Sequence, residues 1–200
     1  MRVIRFESWV GLAALLLAPA AARAQTYSFD VQPKLVNIAF ESRMDIEDIF
    51  GSSNRIGGWL KIRERNKIHF KLEVPVDSLK TGIAMRDDHL RSETWLNAGK
   101  HPAISFEGKS VRKVGKHRYE VKGTFTLRGR KRPLKLTVQA REIPRARATK
   151  LGLGDADWLR VRGSFKVKLS DHGIRIPKMA AAKVSDTWTV RVSLFAKRAS

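Results

Sequence analysis

Hydrophobic and polar residues alternate along most of the chain from Thr26 onward. In the clearest segment, residues 159–169, arginines and lysines occupy one side, and the other side is apolar: Leu159, Val161, Phe165, Val167 and Leu169. A helix would spread these charges around its circumference, whereas a strand sorts them onto one face. The segment is therefore predicted to be a β-strand with one apolar face and one face in solvent.

The same alternation predicts strands over residues 68–76, 119–127, 134–141 and 188–194. Weaker alternation predicts three more, at residues 36–40, 56–62 and 103–106. Turn-forming residues separate several of them, as at Gly115-Lys116-His117. About eight strands, each with one wet face, indicate antiparallel pairing and an all-β fold. The pattern fits a closed barrel and a two-sheet sandwich equally well.

Three segments depart from the alternation. Residues 44–50 carry apolar side chains at helical spacing, which predicts a single helical turn. Residues 83–96 predict one short helix that covers an end of the sheet, with an apolar inner side formed by Met85, Leu90 and Trp95. The charged residues of this helix, including Asp87, are predicted to lie in solvent. Residues 144–158 predict a long loop.

The first residues have the pattern of a secretory signal peptide. Arg2 and Arg5 precede an apolar run over residues 10–18, and Ala22-Arg23-Ala24 has the spacing of a cleavage site. The apolar run is too short to cross a bilayer. We therefore expect residues 1–24 to be a cleaved signal peptide and residues 25–200 to form one domain. The protein is then expected to be periplasmic or secreted.

Composition adds a strong positive charge to this picture. The 200 residues include 40 Lys and Arg against 19 Asp and Glu, a net charge of +21, and no cysteine. The absence of cysteine excludes disulfide scaffolds and thiolate chemistry. The basic excess fits a solvated outer face, an anionic membrane surface or another envelope polyanion. Nucleic acid is disfavoured, because the basic faces lack regularly spaced aromatic residues for base stacking.

Catalytic and metal-binding motifs are not found in the sequence. No HExxH or GxSxG motif occurs, and Gly108-Lys109-Ser110 lacks the leading glycine of a phosphate-binding loop. The five histidines show no zinc-binding spacing and are interpreted as solvated: His69, His89, His101, His117 and His172. Asp87 and Asp88 are interpreted as surface charges, since adjacent helical residues point apart. We therefore predict no catalytic residues, no metal site and no enzymatic activity.

Four elements, taken in order, resemble the YceI-like polyisoprenoid-binding family. They are Thr81-Gly82, Arg86-Asp87-Asp88-His89-Leu90, His101-Pro102, and Arg128-Gly129 followed by Pro133. The likeness covers most of the chain from Thr26 to Lys197. Two departures affect the expected headgroup contacts: Asn37 and Met44 stand near positions where the family has Ser and His, and residues 168–173 differ from its usual Asn-Arg-x-x-Phe-Gly.

The resemblance implies an exported, lipocalin-like antiparallel β-barrel of about eight strands with one short covering helix. It also implies that the barrel holds an isoprenoid lipid, a polyprenyl chain or a prenylated quinone, in an apolar cavity without catalysis. No other cofactor is expected, and the oligomeric state is left open. The alternative is an envelope interaction protein that binds anionic headgroups or polyanions through its basic outer face.

Inward positions of the predicted strands supply candidate ligand contacts: Phe70, Leu72, Phe106, Tyr119, Phe125, Phe165, Val167 and Trp188. The sequence fits equally well with each of these side chains packing a solid core. Gly58 and Gly123, at or near inward positions, either make room for a lipid chain or mark bends in the sheet. Candidates for pairing with a lipid headgroup are Arg86 and Arg91 on the covering helix, and Arg128 and Arg130 at a turn.

Overall fold

A computed structural model describes residues 24–63 and 67–199, so the predicted signal peptide lies outside the described residues except for Ala24. The elements in chain order are β1 (Gln25–Ser28), β2 (Asn37–Arg43), β3 (Asp48–Ser53), β4 (Gly57–Ile62), β5 (Ile68–Pro75), α1 (Ala84–Arg91), β6 (Ala103–Gly115), β7 (Arg118–Leu127), β8 (Arg130–Ile143), α2 (Arg145–Lys150), β9 (Trp158–Lys168) and β10 (Thr187–Arg198). The predicted all-β class is confirmed.

The strands form one antiparallel sheet that closes into a barrel with eight strand positions. The ring runs from β1 through β4 to β10 in order, and β10 pairs back with β1. β2 continues the position of β1, because both pair with the same edge of β10. β3 likewise continues the position of β4, since it pairs with β2 as β4 pairs with β1. The lipocalin-like barrel is therefore confirmed, and the sandwich is excluded.

The chain leaves the sheet between β1 and β2 and returns to it. Pro33–Leu35 forms a short 3-10 turn in this excursion, and Phe29 and Val36 at its two ends are buried. The side-chain amide of Asn54 donates to the carbonyl oxygens of Val36, at 2.8 Å, and Pro33, at 3.1 Å. These bonds pair backbone carbonyl groups that would otherwise bond to a neighbouring strand. The segment between β1 and β2 is therefore held to the barrel by hydrogen bonds.

Two predictions of local structure are wrong. Residues 48–50, predicted as part of a helical turn, belong to strand β3, in which Ile49 is buried and Phe50 is exposed. Pairing of β3 with β2 outweighs the helical spacing of a few apolar residues. The predicted loop after Pro144 contains helix α2, whose Ala148 is fully buried beside Trp158. The amide of Arg145 donates to the Asp157 carboxylate at 2.9 Å, which caps the start of this helix.

Burial is not uniform along the barrel axis. At the end where α1 lies, interior side chains such as Val74, Leu127 and Leu169 are at most 6% exposed. At the other end, interior residues such as Val111 and Leu159 are only half-buried. The dense part of the core therefore sits at the α1 end, and packing loosens toward the opposite end.

Candidate functional site

The barrel encloses an apolar cavity of about 610 Å³. Its wall consists of the inward faces of β2 and of β4 to β10, because every second residue of a strand points to the same side. Leu90 of α1 and the following residues Trp95 and Leu96 complete the wall. Small-molecule sites typically have roughly 300–1,000 Å³ and a mostly apolar lining. This cavity is therefore the candidate ligand-binding site.

The side chains predicted as ligand contacts all lie on the cavity wall: Phe70, Leu72, Phe106, Tyr119, Phe125, Phe165, Val167 and Trp188. Several are held by aromatic pairing. Phe70 and Phe106 meet edge to face with ring centroids 5.4 Å apart, and Phe125 and Phe165 do so at 5.7 Å. These residues surround a space that their side chains do not fill. Their contact with a ligand stays a prediction.

Gly58 and Gly123 allow neighbouring strands to approach closely. A Cβ at Gly123 would clash with the Glu107 carbonyl and would lie 2.7 Å from the ring of Phe106. Gly58 has φ +130°, and a Cβ there would clash with the Lys71 carbonyl. Only glycine fits such positions without strain. Close contact between neighbouring strands therefore explains why glycine stands at both positions.

Helix α1 and the segments around it close one end of the barrel. Leu79, Leu90, Leu96 and Ile174 are between 1% and 7% exposed and form an apolar floor. The predicted covering helix is therefore present, although it ends at Arg91. The prediction for Met85 is wrong: its side chain is 69% exposed, because it precedes the turn of α1 that packs on the floor.

Asp87 holds α1 to this floor, contrary to its prediction as a surface charge. It is 4% exposed, and its carboxylate accepts hydrogen bonds from the Thr81 backbone amide at 2.6 Å and from the Thr81 hydroxyl at 2.7 Å. Burial raises the pKa of the Asp87 carboxyl, but these hydrogen bonds and the charges of Lys80 and Arg91 together lower it below its ordinary value.

The opposite end of the barrel is open, and its rim is polar. Lys113, Lys116 and His117 at the β6–β7 hairpin and Glu142 near the end of β8 line this opening, which we call the mouth. Lys113, Lys116 and Glu142 are exposed, whereas Tyr119 just inside is half-buried. Sequence reasoning missed the mouth residues because a hairpin tip carries no signal of which end of a barrel is open.

The two arginines of α1 proposed as headgroup contacts lie at the closed end. Arg86 pairs with Glu47 of the β2–β3 turn at 2.7 Å, and Arg91 pairs with Asp88 at 2.7 Å. Neither side chain lines the cavity. Their guanidinium groups bind carboxylates of the protein itself.

Arg128 and Arg130, the other two headgroup candidates, are also at the closed end. Arg128 donates to the carbonyl oxygens of Glu93, at 2.9 Å, and Gly173. The guanidinium of Arg130 lies against Gly173, where a Cβ would meet it at 2.5 Å. These contacts tie the β7–β8 turn to the segment after β9. None of the four arginines is near the mouth. Their role in headgroup binding stays a prediction, and their positions at the closed end do not favour it.

His172 is buried beneath the cavity floor, so its interpretation as solvated is wrong. It is 3% exposed, its ring meets Phe125 edge to face at 5.5 Å, and its Nδ1 lies 3.1 Å from the Arg130 carbonyl oxygen. Burial lowers the pKa of this imidazole, and the charge of Arg132 acts in the same direction. The carbonyls of Arg130 and Leu127 and the Asp171 carboxylate oppose that shift.

Replacing His172 with glutamine is expected to reduce the loss of stability between pH 7.5 and pH 5.5. Because the folded protein favours neutral imidazole, the unfolded chain takes up a proton first as the pH falls through about 6.5, and the free energy of unfolding drops. Urea unfolding at both pH values should show a wild-type loss of up to about 1 kcal/mol from this group. The exposed histidine substitution His89→Gln should retain the wild-type loss. An unchanged pH dependence in His172→Gln would contradict the assignment.

Within the described ranges, no group of three or more His, Asp or Glu is placed to hold a metal ion. Among the helices of those same ranges, none combines the length and hydrophobicity of a membrane span.

Comparison with known proteins agrees with this architecture. The family model described as the YceI-like domain matches residues 27–196. A UPF0312 protein of Pectobacterium atrosepticum is 32% identical over 167 residues, covering 80% of this chain and 81% of the relative. The crystal structure of Burkholderia cenocepacia BcnA superposes with a TM-score of 0.70 at 16% identity, covering 83% of this chain and 99% of that one.

A second solved structure has a similar fold. It is a polyisoprenoid-binding domain from Saccharophagus degradans, implicated in plant cell wall breakdown, which superposes with a TM-score of 0.64 at 17% identity. It covers 87% of this chain and 98% of its own.

Proposed function

The chain belongs to the YceI-like family, and from that premise we propose that it is an exported, non-catalytic carrier that holds an isoprenoid chain in its barrel cavity. The observation that carries the proposal is an apolar cavity of about 610 Å³, closed at one end by α1 and open at the other. A polyprenyl chain or the tail of a prenylated quinone has the flexible, wholly apolar form that such a cavity accepts. The polyisoprenoid-binding function named for the Saccharophagus degradans domain supports this choice.

The cavity volume sets the length of chain that it encloses. At roughly 30 Å³ for each water-sized group, the cavity holds about 20 carbon atoms, or about four isoprene units. A longer chain would have its remaining units outside the mouth. The volume therefore predicts that affinity stops rising once the prenyl chain is longer than the cavity can enclose.

Transfer of the chain from water into the cavity is strongly favourable, whereas its transfer from a membrane into the cavity is not. About 20 carbons leaving water contribute roughly 16 kcal/mol at about 0.8 kcal/mol each. A bilayer interior supplies nearly the same term, so affinity relative to a membrane depends on cavity shape and on contacts at the mouth. Lys113 and Lys116, which line the opening, are placed to meet an anionic headgroup.

The same energy restricts how the lipid is exchanged. A chain that left the bilayer through water would lose most of the roughly 16 kcal/mol of burial before reaching the barrel. Exchange by this route would be slow. A carrier of this kind therefore needs direct contact between its mouth and the membrane.

Affinity for prenyl probes is expected to rise with chain length and then level off. Geranyl, farnesyl and geranylgeranyl probes add one isoprene unit at a time, and each unit should increase affinity at least about tenfold, because its carbons leave water for the cavity wall. A probe of about nine units should bind no more tightly than geranylgeranyl, since about four units fill the cavity. Fluorescence titration measures these affinities.

Mass spectrometry of lipid extracted from protein purified without detergent provides the independent test of the ligand class. We expect a polyprenyl compound or a prenylated quinone in the extract. An extract free of isoprenoids, together with no uptake of any prenyl probe, would overturn the proposed function. Equal affinities for all probes would overturn the enclosed binding mode.

A further inference from the structure

The rim of the mouth carries an unbalanced positive charge. Exposed basic residues lie at this end of the barrel, near the end of β6 and on the β4–β5, β6–β7 and β8–β9 connections: Arg63, Lys67, Lys113, Lys116, Arg147 and Lys150. Of these, Lys113 and Lys116 line the opening itself. None of the six is within 4.0 Å of a carboxylate in the part of the chain that the structure describes. Among the acidic residues nearby, Asp155 pairs with Arg145 at 3.4 Å and Asp157 pairs with Arg198 at 2.8 Å. The exposed carboxylate of Glu142 on the mouth lining therefore faces an excess of basic side chains.

Apolar side chains are exposed at the same end of the barrel. Val114, near the tip of the β6–β7 hairpin, is 43% exposed, and Leu151, directly after α2, is 57% exposed. Each has basic sequence neighbours, Lys113 and Lys150 respectively. Exposed apolar residues among lysines and arginines are typical of surfaces that bind the interface of an anionic membrane.

The closed end also exposes apolar residues, but the cavity does not open there. Ile46 and Met85 are also exposed there, at 68% and 69%. Asp45 and Glu47 flank Ile46, and Arg86 directly follows Met85. Glu47 pairs with Arg86, and Asp88 pairs with Arg91. Met179, 89% exposed at the same end, follows Lys178, so basic charge is present at both ends. The mouth is the end where exposed basic side chains, exposed apolar side chains and the opening of the cavity coincide.

We propose that the mouth end is a docking face for an anionic lipid bilayer. The proposal rests on the proposed function, because the mouth is the opening through which a lipid chain reaches the cavity. Lys67, Arg147 and Lys150 contact anionic headgroups, and Val114 and Leu151 enter the interfacial region. In this orientation the cavity opens toward the membrane, and the chain passes between the two apolar environments without crossing bulk water.

Vesicle binding of charge-reversal variants tests the face. The purified protein should bind vesicles of phosphatidylcholine with about 30% phosphatidylglycerol, and added salt should weaken this binding. Each basic residue near such a surface contributes about fivefold in affinity. The triple variant Lys67→Glu, Arg147→Glu, Lys150→Glu should therefore lose at least about 100-fold. The matched control Lys131→Glu, Lys178→Glu, Lys183→Glu makes the same charge change at the closed end and should lose less than about threefold.

Single cysteines give a second measurement that needs no charge reversal. Because the chain has no native cysteine, Val114→Cys and Leu151→Cys can each carry one environment-sensitive fluorophore. Both labels should shift to the blue when phosphatidylglycerol vesicles are added. Labels at exposed apolar residues of the closed end, in Ile46→Cys and Met85→Cys, should not shift.

The outcomes separate this proposal from the proposed function. Uptake of a geranylgeranyl probe in the absence of vesicles measures the cavity alone, and the mouth triple variant should retain it. Wild-type protein that takes up the probe but does not bind phosphatidylglycerol vesicles would overturn the docking face only. Equal losses in the two triple variants, or equal label shifts at both ends, would also overturn it. Face-specific vesicle binding without probe uptake, by protein whose extract is free of isoprenoids, would overturn the proposed function only.

Discussion

Replacing Val138 with tryptophan is expected to lower affinity for a geranylgeranyl probe at least about 100-fold, which corresponds to about 2.7 kcal/mol. Val138 lies on β8 with its side chain on the cavity wall, and it pairs with Tyr119 of β7 on one side and Gly163 of β9 on the other. Tryptophan adds about seven heavy atoms, or about a third of the roughly 20 groups that the cavity holds. The indole would therefore occupy the space that the prenyl chain needs.

The folded barrel should tolerate this change, because the indole enters a space that is not filled by side chains. We expect the melting temperature to stay within about 4 °C of wild type. The neighbouring substitution Thr137→Trp is the matched control, since Thr137 is exposed on the outer face of the same strand and should leave probe binding unchanged. Full affinity in Val138→Trp, with the variant folded, would show that the ligand does not occupy this cavity.

Asp87→Ala is expected to destabilise the protein by about 3 kcal/mol. The change removes a buried carboxylate that accepts two hydrogen bonds from Thr81 and leaves the Thr81 amide without its partner. Hydrogen bonds to charged groups contribute about 1.5–3 kcal/mol each, and a buried donor left unpaired adds its own cost. Urea unfolding at pH 7 measures the loss. Because Asp87 anchors α1, the variant should also release bound lipid faster than wild type.

Asp88→Ala is the matched control for this prediction. Asp88 is the next residue, its side chain is 75% exposed, and its pair with Arg91 is a surface i,i+3 contact. Such pairs contribute roughly 0.5 kcal/mol or less. A similar destabilisation by the two substitutions would show that loss of helix charge, and not the buried anchor, explains the effect of Asp87→Ala.

The lowered pKa of Asp87 adds a pH dependence with a defined sign. Its carboxyl is harder to protonate in the folded protein than in the unfolded chain. The stabilisation is therefore complete above the unfolded value of about 3.9 and is lost as the pH falls through the lower, folded value. Acid unfolding of wild type should show this loss below about pH 4, and Asp87→Ala should lack it.

Much of the barrel wall could be predicted because side-chain facing is a local property of a strand. Residues two apart share a face whatever the strand pairs with, so the positions of Phe165 and Val167 toward the interior follow from alternation alone. The segments that failed lack this property. Residues 48–50 are too few to separate period two from helical spacing, and α2 is held by Ala148 packing against Trp158, which no local pattern shows.

The candidate site was predicted in part for the same reason. Alternation identified the residues that face the cavity. It could not indicate whether their side chains fill the interior or leave a cavity, because that depends on how β10 pairs with β1 to close the barrel. The buried states of Asp87 and His172 were missed, since each depends on partners brought in by folding: Thr81 in one case, Phe125 and the Arg130 carbonyl in the other.

The sequence by itself determined which side of each strand is apolar, the antiparallel all-β class and the strongly basic character of the surface. Only the tertiary structure decided which end of the barrel is closed by α1, which end is open, and therefore that Lys113 and Lys116 line the mouth while Arg86 and Arg128 bind within the closed end. The physical reason is that a two-residue period records the direction of a side chain perpendicular to the sheet. It contains no information on height along the barrel axis or on which loops meet there.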